Sequence, residues 1–121
     1  MMKLTVNFTD IKVKESTFPG GEEYVKLDST MPQSADTVVY DINMRSGNDF
    51  MKLALLKNAV ETHYRNKVNK QILNLKYLPY ARQDRVCDKG ESFSLKVFTN
   101  LLNSLNFDEV RISDCHSEVG L

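Results

Sequence analysis

The chain has 121 residues and a mass of 13.9 kDa, enough for one domain with a hydrophobic core that needs no disulfide or metal staple. Hydrophobic residues make up 41% and charged residues 26%, with 16 basic side chains against 16 acidic ones, which excludes disordered, collagen-like and disulfide-scaffold classes and gives no net charge that announces nucleic acid or a membrane surface. No apolar run approaches the roughly 20 residues of a membrane span, the start lacks a signal-peptide core, and Cys87 and Cys115 show no Cys-x-x-Cys spacing, so a cytoplasmic protein with free thiols is expected.

Lys3 to Phe8 alternates Leu4, Val6 and Phe8 with polar residues, which predicts a half-buried strand. Ile11 and Val13 begin a second strand toward Phe18, Pro19-Gly20-Gly21 supplies a turn, and Glu22 to Leu27 alternates again, giving an N-terminal β-hairpin. Asp28 to Asp36 reads as a loop. The β-branched run Thr37 to Ile42 has the look of a buried parallel strand. Ser46-Gly47-Asn48-Asp49 is helix-starting chemistry, and Phe50, Leu53, Leu56, Val60 and Tyr64 follow at helical spacing, with the helix expected to end between Arg65 and Lys70. Ile72, Leu73, Leu75, Tyr77 and Leu78 make another strand, stopped by Pro79. Tyr80 to Ser92 is a polar loop, and a second amphipathic helix covers about Ser94 to Ser104. Val110 and Ile112 form the last strand, which ends in Asp114-Cys115-His116. The order from residue 37 onward predicts an α/β domain built on a parallel sheet with helices on both faces. Ligands of such sheets bind at the carboxyl ends of the strands, where loops 79–92 and 114–120 lie.

Those two loops hold the chain's best chemistry. Arg82 and Arg85 can offer forked donors to phosphates, or can pair with Asp84, Asp88 and Glu91 on an exposed surface; Gln83 can read a base edge. The stretch from Thr62 to Gln83 holds no carboxylate but five basic residues, among them Arg65, Lys70 and Arg82, and either faces phosphates or is a solvated helix end. Asp114 and His116, two apart at a strand end, project the same way, which suits a divalent metal, a proton-transfer site or an ordinary surface pair. His63 reads as a surface residue. Phe18 and Glu22 flank the Pro-Gly-Gly turn, the phenylalanine being either a core anchor or an exposed stacking platform.

Taken together, Pro79-Tyr80-Ala81-Arg82-Gln83-Asp84-Arg85, then Phe93-Ser94-Leu95-Lys96, then Asp114-Cys115-His116-Ser117 resemble the ribose-phosphate pyrophosphokinase family. Asn48-Asp49 with Met51-Lys52-Leu53 is similar to its Asn-Asp-x-Leu-Met-Glu-Leu helix start, and Phe18-Pro-Gly-Gly-Glu22 to its Phe-x-Asn/Asp-x-Glu turn. The resemblance implies a phosphoribosyltransferase-like fold and transfer of the diphosphoryl group of ATP to ribose 5-phosphate with Mg²⁺. By the same resemblance Arg82 and Gln83 contact ATP, His116 is a metal ligand supported by Asp114, and Phe18 and Glu22 complete the adenine pocket of a neighbouring subunit in a homo-oligomer. No nucleic-acid or membrane partner is implied. The chain departs from the family in leaving no room for a helix after its first strand and in placing Gly20 where the family has Asn or Asp. Residues 1–121 are expected to be the amino-terminal, ATP-site domain without the carboxy-terminal ribose-phosphate domain, and inactive alone. A non-catalytic short paralogue, serving as a regulatory or nucleotide-binding subunit, is the rival expectation.

Overall fold

The computed structural model describes residues 2–80 and 89–113. The chain begins with β1 (Met2–Val6), which doubles back through Asn7 and Phe8 into β2 (Thr9–Ile11). Both turn residues have left-handed backbones, φ 50° and 65°. That geometry matches the right-handed twist of paired strands and makes a two-residue turn possible. β3 (Val13–Thr17) and β4 (Glu23–Leu27) follow as a separate antiparallel hairpin, as its turn sequence predicts. Gly21, at φ 97°, takes the turn conformation that a side chain would resist.

β5 (Ala35–Ile42), α1 (Gly47–His63), β6 (Val68–Leu75), α2 (Ser94–Asn103) and β7 (Glu109–Ile112) complete the chain. The main sheet runs β2-β1-β5-β6-β7; β6 is parallel to both β5 and β7, while β1 is antiparallel to β5. A parallel neighbour needs a crossover of a dozen or more residues, and the two-residue turn after β1 leads instead to a reversed strand. The α/β class and the parallel centre stand as expected.

Three boundaries move. Phe8 belongs to a turn and not to the first strand. α1 stops at His63, because Arg65 and Asn66 turn left-handed (φ 53° and 62°) and the Asn66 amide donates back to the Glu61 carbonyl at 2.7 Å. β6 ends at Leu75, short of Leu78.

The expected helices on both faces are met on one face only, among the described residues. β5, β6 and β7 are laid side by side in one direction, and right-handed crossovers then put α1 and α2 on the same side. The contact between Phe50 and Phe98, 6.2 Å between ring centroids, joins the two helices there. Leu53, Leu56 and Val60 of α1 and Phe98 and Leu102 of α2 cover Leu4, Val6, Val38, Tyr40, Leu73 and Leu75 of the sheet. The opposite face is mostly polar, and its charges pair: Lys3 with Asp10 at 3.9 Å and Lys70 with Glu109 at 3.3 Å across strands, Asn74 donating to Asp41 at 3.0 Å, and Arg111 with Glu109 at 2.6 Å along β7. The Arg111 and Lys70 partners hold the Glu109 carboxyl below the usual range.

The β3–β4 hairpin lies along α1 through β4. Lys52 of α1 reaches Glu15 at 3.6 Å and Glu23 at 4.0 Å, and Val13, Val25 and Leu27 pack on the core margin. The hairpin strands are thereby fixed while the tip, residues 18–22, stays exposed.

Candidate functional site

A cleft of about 630 Å³ opens at the carboxyl ends of β5 and β6, between the N-terminal turns of α1 and α2. Its floor and walls are aromatic. Phe50 and Phe98 meet at 71°, and the Tyr80 ring stands 6.1 Å from Phe98 at 49°. Tyr77 and Pro79 continue the wall from the end of β6. Tyr80 is 58% exposed and sits at φ 64°, a conformation that costs a bulky residue about 1–2 kcal/mol. Backbone strain of this kind gathers at ligand-binding sites.

The other wall is set by the start of α1. Ser46 caps the helix, its Oγ accepting from the Asp49 amide at 3.4 Å, while the Asp49 carboxylate accepts from the Arg45 amide at 2.8 Å. The hydroxyl cap, with an acid three places on that reaches the residue before the cap, fixes the chain's path into the helix. It also leaves Arg45 at the cleft, where the guanidinium makes no ion pair among the described residues. Ser46, Ser92 and Ser94 add hydroxyls to the lining. Aromatic faces, one cation and several hydroxyls at the carboxyl ends of parallel strands suit a flat heterocycle carrying an anionic group.

Of the residues singled out by sequence, Arg82, Gln83, Asp114 and His116 lie outside the described residues. Tyr80, directly before Ala81-Arg82-Gln83, lines the cleft. Phe18 and Glu22 are described and stand apart from it. Phe18 is 49% exposed, outside the core, with its ring 5.4 Å from Tyr24. Of its two possible roles, the core anchor is ruled out by this placement. Neither Phe18 nor Glu22 lines the cleft of its own chain. The Glu22 carboxylate folds over the turn, where a Cβ on Gly20 would meet its Oε1 at 2.7 Å, so the glycine makes room for the carboxylate.

No group of three or more His, Cys, Asp or Glu side chains that could hold a metal occurs among the described residues. His63 stacks edge-on against Tyr64 at 4.6 Å and is exposed, in keeping with a surface residue at a helix end. Arg45, Tyr77 and Tyr80 line the cleft without being among the site residues expected from sequence. Their signal was present: two tyrosines flank Pro79 just past a strand end, and an arginine precedes a helix cap.

The profile for the N-terminal domain of ribose phosphate pyrophosphokinase matches residues 2–105. Ribose-phosphate pyrophosphokinase of Sulfurisphaera tokodaii is 30% identical over 108 residues, covering 89% of this chain and 36% of the relative. That of Pyrococcus furiosus is 28% identical over 109 residues, covering 90% and 36%. The crystal structure of phosphoribosylpyrophosphate synthetase from Mycobacterium smegmatis superimposes with a TM-score of 0.65 at 21% identity, over 87% of this chain and 34% of that one, and shows a shared fold. The chain thus spans about a third of the length of the curated relatives it matches.

Proposed function

Because the chain belongs to the N-terminal domain family of ribose-phosphate pyrophosphokinases, we propose that it supplies the ATP half of such an enzyme, which moves the diphosphoryl group of ATP to ribose 5-phosphate. The observation that carries this reading is the aromatic cleft at the carboxyl ends of β5 and β6, with Arg45 at its margin and Tyr80 leading into Arg82 and Gln83. The adenine ring stacks on the aromatic wall and against the Arg82 guanidinium, Gln83 reads its edge, and Arg45 faces the phosphates. Phe18 and Glu22 close the pocket of a neighbouring subunit in a homo-oligomer, since they do not reach the cleft of their own. Diphosphoryl transfer asks the protein mainly for positioning and for cations placed against developing negative charge. His116, supported by Asp114, would hold Mg²⁺, which neutralises the phosphates when bound.

The test is titration of the chain with Mg-ATP, followed by fluorescence of the cleft tyrosines or by NMR. Saturable binding that Arg82→Ala and Arg45→Ala each weaken, with an unchanged unfolding midpoint, is expected. Binding indifferent to both variants overturns the assignment. Incubation with Mg-ATP and ribose 5-phosphate should yield no AMP from this chain alone; turnover on the order of 1–1000 per second would show a complete active site.

A further inference from the structure

The open face of the sheet is neutralised by cross-strand pairs along most of its length, but the pairing runs out at the carboxyl ends of β5, β6 and β7. There a second cavity, of about 280 Å³, is lined by Lys3, Asp41, Asn43, Asn74, Lys76 and Ser113. It lies across the sheet from the aromatic cleft. Met44 and Tyr77 line the cleft while their neighbours Asn43 and Lys76 line this cavity, so successive residues of two strand ends serve opposite sides. Its volume falls just short of the roughly 300–1,000 Å³ of a drug-sized pocket and admits a small organic molecule.

Its chemistry is mixed. Lys76 makes no ion pair among the described residues, and Lys3 has only the long contact to Asp10 at 3.9 Å. Asp41 already accepts from the Asn74 amide at 3.0 Å, so its charge is partly satisfied. Asn43 Oδ1 is fully shielded and has no hydrogen-bond partner, and it is the one side-chain atom of that kind among the described residues. Such an orphan acceptor carries a desolvation cost that a donor would remove. Asn43 is among the residues that line this cavity. Two ammonium groups ask for a phosphate; the orphan amide oxygen and the free oxygens of Asp41 and Asn74 ask for hydroxyl donors.

We propose that this cavity binds a hydroxylated phosphate monoester about the size of a triose phosphate, with the phosphate on Lys3 and Lys76 and the hydroxyls on Asn43 and Asp41. The site is separate from the cleft and does not depend on the function proposed for it.

Glycerol 3-phosphate is the probe, titrated into the ¹⁵N-labelled chain, with inorganic phosphate and glycerol as parallel arms. The ester should shift the side-chain amides of Asn43 and Asn74 and the backbone amides of Lys76 and Ser113. It should bind about tenfold more tightly than inorganic phosphate, with affinity falling as salt rises. Lys76→Gln and Asn43→Ala should each weaken it several-fold without changing ATP binding in the cleft. Lys76 is exposed, so its variant decides the question even where Asn43→Ala fails to fold. Equal binding of inorganic phosphate, shifts confined to Tyr77, Tyr80 and Phe98, no shift at all, or an affinity indifferent to Lys76→Gln would each overturn the proposal.

Discussion

Asn7 holds its left-handed backbone with both side-chain atoms engaged: Nδ2 donates to the Ser34 carbonyl at 2.9 Å, and Oδ1 accepts from the Asp36 and Thr37 amides at 2.8 and 3.1 Å. The next residue has no such compensation. Phe8 sits at φ 65° with 87% of its surface exposed, where a left-handed backbone costs a bulky residue about 1–2 kcal/mol. Glycine is the residue that turns of this type prefer at that place. Phe8→Gly should therefore raise stability by up to about 1 kcal/mol, part of the strain relief being offset by the entropy of a more flexible unfolded chain. Urea unfolding measures it, and a loss of stability would mean that Phe8 makes contacts which outweigh its strain. Asn7→Ala should cost about 1–3 kcal/mol, since it leaves amides of the β5 entrance without an acceptor. This turn was not legible in the sequence. Leu4, Val6 and Phe8 keep the alternation of a strand, and no Asn-Gly pair announces a reversal.

The elements that sequence periodicity located best are those whose packing and pattern agree. β5 and β6 are apolar because the helices bury one face, and α1 and α2 carry their buried residues at the expected spacing. What periodicity could not show is the polar network under α1. Tyr40 donates to Gln71 Oε1 at 2.6 Å, Gln71 donates to Glu61 at 3.0 Å, and Lys57, itself buried, reaches Glu61 at 2.7 Å and lies 5.3 Å from the Phe107 ring. These partners come from α1, β5, β6 and the approach to β7, so no local pattern links them. Burial and then the Glu61 charge push the Tyr40 hydroxyl far above its usual value of 10.0. The folded state therefore binds that proton more tightly than the unfolded chain does. The resulting stability is complete below about pH 10 and is lost as the pH climbs above it, where the unfolded tyrosine ionises and the folded one does not. Tyr40→Phe should flatten this alkaline loss relative to the native chain. At pH 7 the same variant should cost about 1–3 kcal/mol, because Gln71 Oε1 loses its donor in a buried place. Thermal unfolding of both proteins between pH 7 and 11 checks both statements; parallel curves would remove Tyr40 from the alkaline response.

At the scale of the molecule, the strand order β5-β6-β7 and the two-residue turn after β1 together leave one sheet face without a helix among the described residues. Between β1 and β2 the chain has only Asn7 and Phe8, which leave no room for a helix on that side. A sheet face without that cover must be compatible with water, and Lys3, Asp10, Asp41, Lys70, Asn74, Glu109 and Arg111 make it so. The exposed hairpin tip shows a similar economy of contacts. The β3–β4 hairpin is held at its middle and near its turn by Lys52 to Glu15 and Glu23, whereas Phe18 at the tip touches Tyr24 and stays half exposed. Phe18→Ala should therefore leave the unfolding free energy within about 0.5 kcal/mol of the native value, as surface substitutions do. If the tip completes the adenine pocket of a neighbouring subunit, the same variant should weaken ATP binding in the associated protein by about 1–2 kcal/mol, roughly 5- to 30-fold. The difference should vanish on dilution to the monomer, where native and variant chains share the same open cleft. ATP titrations at several protein concentrations, with the assembly state followed by sedimentation, separate the possibilities. A weakening that persists in the monomer assigns the tip to its own cleft, and no weakening at any concentration leaves Phe18 without a part in ATP binding.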